Sequence, residues 1–242
     1  MQEINKEYFR HLCSIATIFP YGSAVYGTYK EGISDCDYIF VISDDSYKCL
    51  ITDLAYENMQ YEENQFIYKN IQITVYSHSM WEKIIEDNDV KAVECSFLPA
   101  GYVKLDEEFT KIIYPTIDIT IDKNKIRKNF SAVASNSWVK CKKKLTVKED
   151  FAPRIGKKSL WHALRLLDFG TQIMCFDKIV NYSSMNFIYN DIVENEYNDW
   201  EIYKNKFQKF YNALKTNFRL SEDKNYEYKS PEEVWNSLYN IM

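Results

Sequence analysis

Residues 21–45 read YGSAVYGTYKEGISDCDYIFVISDD. A Gly-Ser pair, two further glycines and two aspartates one residue apart stand here just ahead of a β-branched and aromatic run. Residues 37–43 have the composition of a buried strand, and an apolar segment near Ile18 predicts another before the glycines. The order is therefore strand, small loop, acidic strand. Asp35 and Asp37, two apart on extended chain, project from one face. Carboxylates held that close repel unless a cation lies between them, and hard oxygen donors suit Mg²⁺ or Mn²⁺. Gly22 lets backbone approach a phosphate, and the Ser23 hydroxyl and the amides after it can donate to phosphate oxygens. Singly these signals say little: an Asp-x-Asp at a strand edge is usually structural or solvated, and Gly-Ser marks a turn.

Around this stretch the pattern changes once. With 242 residues, 46% of them hydrophobic, the chain can form one large domain or two smaller ones with proper cores. Apolar positions Ile4, Phe9, Leu12, Ile15 and Ala16 predict an N-terminal helix. Residues 70–77 alternate as a strand, with a hairpin partner within 59–68 and Lys69-Asn70 as the turn. Helices are predicted over 78–86 and 90–97, ending at Pro99. From Ile121 on, strand signals fade. The segments 125–145, 156–176 and 199–218 fit helical periodicity, and Ser230-Pro231 opens a last helix as N-cap and first helical residue. We place a boundary near residue 120, between an α/β half (1–120) and a helical half (121–242).

Other classes are disfavoured. No apolar run is long enough to cross a bilayer and the N-terminus is charged, so no membrane association and a cytoplasmic location are expected. The six cysteines form no C-x-x-C pair, which speaks for reduced thiols rather than a zinc ribbon or disulfide framework. A G-x₄-G-K-[ST] loop is absent, which disfavours a P-loop kinase or ATPase. The net charge of −5 argues against wholesale non-specific nucleic-acid binding, yet between Thr120 and Gly170 thirteen basic residues face four acidic ones. The Lys140–Lys144 run is by default a solvated helix face. In the functional reading, Lys157, Lys158 and Arg165 hold triphosphate or nucleic-acid phosphates across a cleft between the halves. His162, among apolar neighbours, reads first as a core histidine. Tyr21 and Tyr26, flanking the Gly-Ser pair, are the tyrosines best placed to stack on a base.

Gly22, Ser23, Gly27, Ser34, Asp35 and Asp37 fall in the order G-S-x₃-G-x₆-S-D-x-D between two apolar strands. This order resembles the signature of the polymerase-β-like nucleotidyltransferase superfamily. Residues 89–99 together with 157–170 are similar to its RlaP-type, RNA-repair-associated branch. The resemblance implies an α+β fold: a mixed nucleotidyltransferase β-sheet core with flanking helices, followed by a helical domain. It also implies an NTP substrate, a divalent metal held by Asp35 and Asp37, and transfer of NMP to a hydroxyl whose bearer the resemblance does not define; an RNA 3′ end and a protein hydroxyl are the candidate acceptors. Gly22, Ser23, Tyr26 and Ser34 would meet the nucleotide. The superfamily places a third carboxylate on the antiparallel strand beside the Asp-x-Asp strand. The matching strand here is 71–77, whose polar face reads Gln72, Thr74, Tyr76, with no acid. A glutamine carbonyl can ligate a cation but cannot take a proton at neutral pH. Glu94, or Glu62 and Glu63, are the candidate substitutes. The other reading is a catalytically impaired nucleotide- or RNA-binding protein of the same fold.

Overall fold

The structure is a computed structural model that describes residues 2–56, 64–98, 101–103, 112–114 and 117–239. The chain divides into two compact units, Met1–Thr120 and Ile121–Met242. Among the described residues the first unit is built on a mixed sheet of five strands in the order β1-β4-β5-β3-β2. After β1 (Gln2–Glu3), helix α1 (Lys6–Ile15) starts at Asn5, whose side chain accepts the Tyr8 N–H, and leads into β2 (Thr17–Tyr21). The four-residue helix α2 (Ser23–Tyr26) and a loop connect β2 to β3 (Cys36–Ile42). β3 pairs antiparallel with β2, setting Tyr21 opposite Asp37. Helix α3 (Asp44–Tyr56) then leads towards β4 (Gln65–Tyr68), and β4 turns through Lys69-Asn70 into β5 (Ile71–Ser77). Helices α4 (His78–Glu86) and α5 (Val90–Ser96) follow, then the pair β6 (Gly101–Val103) and β7 (Ile112–Tyr114). Residues 59–63 of the expected hairpin strand, Glu62 and Glu63 among them, lie outside the described residues, as does Pro99.

One expectation is corrected. The neighbour of the Asp-x-Asp strand is residues 71–77, but β5 runs parallel to β3, with Asp37 in register with Gln72. A parallel return needs a crossover of a dozen or more residues. Helix α3, which the sequence pattern does not announce, supplies much of it. Both faces of β3 are buried, which explains its unbroken apolar run. Tyr38, Phe40 and Ile42 pack with Phe9, Leu12, Ile73 and Val75 on one face. Ile39 and Val41 pack with Phe19, Trp81 and Ala92 on the other. Each of these larger side chains contributes about 1.5–3 kcal/mol by leaving water. Only the N-terminal end of β3, where the aspartates stand, escapes this burial.

The second unit is helical among its described residues. Helices α6 (Lys123–Thr146), α7 (Pro153–Phe176), α8 (Trp200–Leu220) and α9 (Pro231–Tyr239) are joined by irregular segments with short 3₁₀ and π turns. Asp122 and Asp199 cap α6 and α8 through their side chains. Ser230, the expected N-cap of α9, exchanges side-chain bonds with Glu233 and so completes a capping box. α7 is apolar around most of its circumference and forms the centre of the unit.

Inside it, Asp168 is 1% exposed and accepts bonds from Ser184 Oγ (2.5 Å), Gln172 Nε2 (2.6 Å) and the Tyr228 hydroxyl (2.8 Å). Burial pushes its carboxyl from the usual 3.8 up to about 6, although these bonds pull the other way. The folded unit thus holds this proton more tightly than the unfolded chain does. The stability the group contributes is fully present below about pH 4 and is lost as the pH rises through about 6. Asp168→Asn should remove a slope of up to about 1.4 kcal/mol per pH unit across that window. Thermal unfolding from pH 4 to 7 checks this: an unchanged profile in the variant would assign the slope to another group.

Candidate active site

The site is assembled by register. Asp37 on β3 faces Tyr21 on β2 and Gln72 on β5, and alternation along the strands puts Asp35, Asp37 and Gln72 on one face of the sheet. The Gln72 side-chain amide donates to Asp35 Oδ2 at 2.8 Å. Gln72 therefore stands beside the aspartates on the strand where the sequence resemblance led one to expect an acid, although that strand is parallel rather than antiparallel, and it meets Asp35 with a donor rather than a third negative charge.

Gly22 follows the residue opposite Asp37, and its backbone (φ 68°, ψ −146°) lies in a region that glycine alone adopts readily. A Cβ there would stand 2.1 Å from Asp37 Oδ2 and 3.0 Å from the Asp37 Cβ. The Asp37 carboxylate thus lies directly against the glycine backbone, at the mouth of α2. Ser23 opens α2, and its hydroxyl donates to the Asp35 carbonyl at 3.5 Å, tying loop to acidic strand. The first N–H groups of any helix lack partners within it.

The other expected residues are placed as follows. Ser34 serves its own turn: its hydroxyl accepts the Lys30 N–H at 3.0 Å. Tyr26 is buried rather than offered to a base. Its ring meets Tyr21 edge-on at 6.2 Å and its hydroxyl donates to Glu94 Oε2 at 2.6 Å. Glu94, 1% exposed, thereby anchors the end of α2 to α5 from within the core. In the helical unit, Lys157 is buried and its ammonium donates to the Asn195 carbonyl at 2.7 Å, with burial lowering its pKa. Arg165 is 2% exposed, lies over the rings of Trp161 and Phe169, and shares a 2.9 Å bond with His162 Nδ1. Burial and the Arg165 charge push His162 well below the ordinary histidine range. Lys158 alone of the three cations is exposed.

Two carboxylates and a side-chain amide oxygen form an oxygen donor set of the kind a hard divalent cation takes, and their charge of −2 matches one such ion. Rotating the Gln72 amide by half a turn would exchange its donor for its acceptor. Among the described residues no group of three or more His, Cys, Asp or Glu side chains is arranged to hold a metal, so the ion would depend on this pair. Sequence reasoning reached the pair and Gln72. It missed the contact of Gly22 with Asp37 and the Tyr26–Glu94 link, because both depend on which strands lie side by side.

Residues 2–105 match the family model described as Nucleotidyltransferase domain. The match covers the five-stranded sheet and every residue of the site, less than half of the chain and all within the first unit. None of the curated proteins compared with the chain matches it. No helix among the described residues is long and apolar enough to cross a membrane.

Proposed function

We propose that the nucleotidyltransferase domain transfers a nucleoside monophosphate from a nucleoside triphosphate to a hydroxyl group. The observation that carries this reading is the Asp37 carboxylate lying against Gly22, with Asp35 and Gln72 beside it on the same face. Asp35 and Asp37 hold the cation, Mg²⁺ or Mn²⁺. When bound, it neutralises phosphate charge and favours the deprotonated acceptor. Gly22 and the first amides of α2 receive the triphosphate oxygens, and the Ser23 hydroxyl turns from the Asp35 carbonyl to donate to them. The acceptor oxygen forms a bond to the α-phosphorus while the α,β-bridging bond breaks. Pyrophosphate leaves with that electron pair, and the hydroxyl proton passes to a carboxylate of the pair and on to water. Such chemistry asks a protein chiefly for positioning and charge compensation. Tyr26 and Glu94 position the loop by fixing α2 to α5; Lys157, Arg165 and Ser34 have no part in the proposal.

Incubation with α-labelled NTPs, Mg²⁺ or Mn²⁺, and both RNA and protein acceptors tests it. Covalent label is expected on one of them and is lost in Asp35→Ala/Asp37→Ala; label persisting in that variant sinks the assignment.

One observation favours a second reading, a protein of this fold that binds nucleotide without turnover: Gln72 stands where an acid is expected and donates to Asp35. Gln72→Glu separates the two. A third carboxylate in register with Asp37 raises repulsion in metal-free protein and strengthens cation binding. We expect a lower melting temperature in EDTA and roughly tenfold tighter Mn²⁺ binding, on the scale of groups that tune a metal site. If wild type shows calorimetric NTP binding without turnover and Gln72→Glu gains turnover, the second reading holds. Wild-type turnover at ordinary enzyme rates, about 1 s⁻¹ or more, excludes it.

A further inference from the structure

The turn between α6 and α7 gathers charge that the chain as a whole lacks. The Ala152 N–H donates to the Lys144 carbonyl at 3.0 Å, and a Cβ on Gly156 would stand 3.1 Å from the Lys144 Cβ. The last two turns of α6 and the first two of α7 therefore adjoin at one tip. On it Lys140, Lys142, Lys143, Lys148, Arg154 and Lys158 are exposed, and the acids of the same turn are Glu149 and Asp150. Asp150 is engaged by Lys143 at 2.6 Å and Lys144 at 3.3 Å, which hold its carboxyl below the usual range. Five exposed cations stand beyond that cluster: Lys140, Lys142, Lys148, Arg154 and Lys158. Among them three large apolar side chains face solvent, Val147 (36% exposed), Phe151 (54%) and Ile155 (49%).

We infer that this tip binds the phosphate backbone of a single-stranded nucleic acid. The cations meet phosphates, as charge complementarity requires. The apolar residues between them meet base faces, Phe151 by stacking, and only an unpaired strand exposes those faces. A duplex would offer the tip sugar and phosphate alone and leave the apolar residues without a partner. An anionic bilayer fits less well. Lys148–Asp150 form a 3₁₀ turn between Val147 and Phe151, so inserting those side chains would carry Glu149 and Asp150 to the lipid surface. That the bound strand is the acceptor rests on the transferase reading; the binding itself does not.

The test is fluorescence anisotropy of labelled 20-mers with the full chain, without NTP, from 50 to 200 mM KCl. Five phosphate contacts predict a log–log salt slope of about −3.5, a loss of about a hundredfold over that range. Lys142→Gln/Lys148→Gln/Arg154→Gln should flatten the slope by about 2. Phe151→Ala should weaken binding about tenfold at every salt concentration and leave the slope alone. RNA and DNA strands binding alike, or RNA binding better, both support the inference. An unchanged slope in the triple variant, tighter binding of a duplex than of either strand, or capture by phosphatidylserine vesicles without strand binding would each overturn it. Asp35→Asn/Asp37→Asn should bind the strand as wild type does. Strand binding without any NMP transfer would leave this surface and remove the proposed activity; transfer without strand binding would do the reverse.

Discussion

Asp37→Asn is expected to lower nucleotidyl transfer at least a hundredfold while leaving the fold and melting temperature nearly unchanged. Asparagine matches aspartate in shape, so the strand pairing of Asp37 with Tyr21 and Gln72 survives. What disappears is one of two negative charges, leaving −1 where a divalent cation and a triphosphate must be balanced. Loss of a single electrostatic group in a preorganised site typically costs about 10²–10³ in rate. Pyrophosphate release in Mn²⁺, measured beside a thermal melt, checks both halves of the prediction. Full activity in Asp37→Asn would mean that the carboxylate pair is not the metal site.

Gly22→Ala should be as damaging by a different route. The new methyl would sit 2.1 Å from Asp37 Oδ2, and Asp37 Cγ and Cβ at 2.9 and 3.0 Å are little farther away. The strand fixes the Asp37 Cβ, so relief requires the carboxylate to swing away from its place. A non-glycine residue at φ 68° adds roughly 1–3 kcal/mol of strain. At about 2–4 °C per kcal/mol, the melting temperature should fall by about 2–12 °C. Gly32→Ala is the control that separates the two effects. Its φ of 72° is likewise positive, so an alanine there is strained too, but nothing lies within 4 Å of the added methyl. Gly32→Ala should therefore lose stability and keep its turnover. Equal losses of turnover in the two variants would attribute the Gly22 effect to strain alone.

How far the sequence foretold this architecture varied with the range of the interactions involved. The N-terminal helix, the 70–77 strand, the Lys69-Asn70 turn and the amphipathic helices after residue 121 follow from local periodicity and caps, and the α+β class with a helical second half was borne out. Asp35 and Asp37 share a face because of their spacing alone. The parallel pairing of β3 with β5 was not legible, since it follows from a crossover whose helix α3 carries a weak apolar pattern. Nor was the burial of Arg165 and Lys157. Their charge suggested solvent and phosphate, whereas Trp161, Phe169, His162 and the Asn195 carbonyl supply partners that only the folded unit brings near. Glu94 misled similarly. Its role is set by Tyr26, 68 residues earlier in the chain, which no local pattern connects to it.

Manganese electron paramagnetic resonance with an α,β-methylene NTP, comparing wild type with Asp35→Asn/Asp37→Asn, probes the grip of the two aspartates without needing an acceptor or turnover. Wild type is expected to bind the Mn²⁺–nucleotide pair, and the double variant to bind it at least about tenfold more weakly. Equal affinity in the two proteins would contradict that expectation.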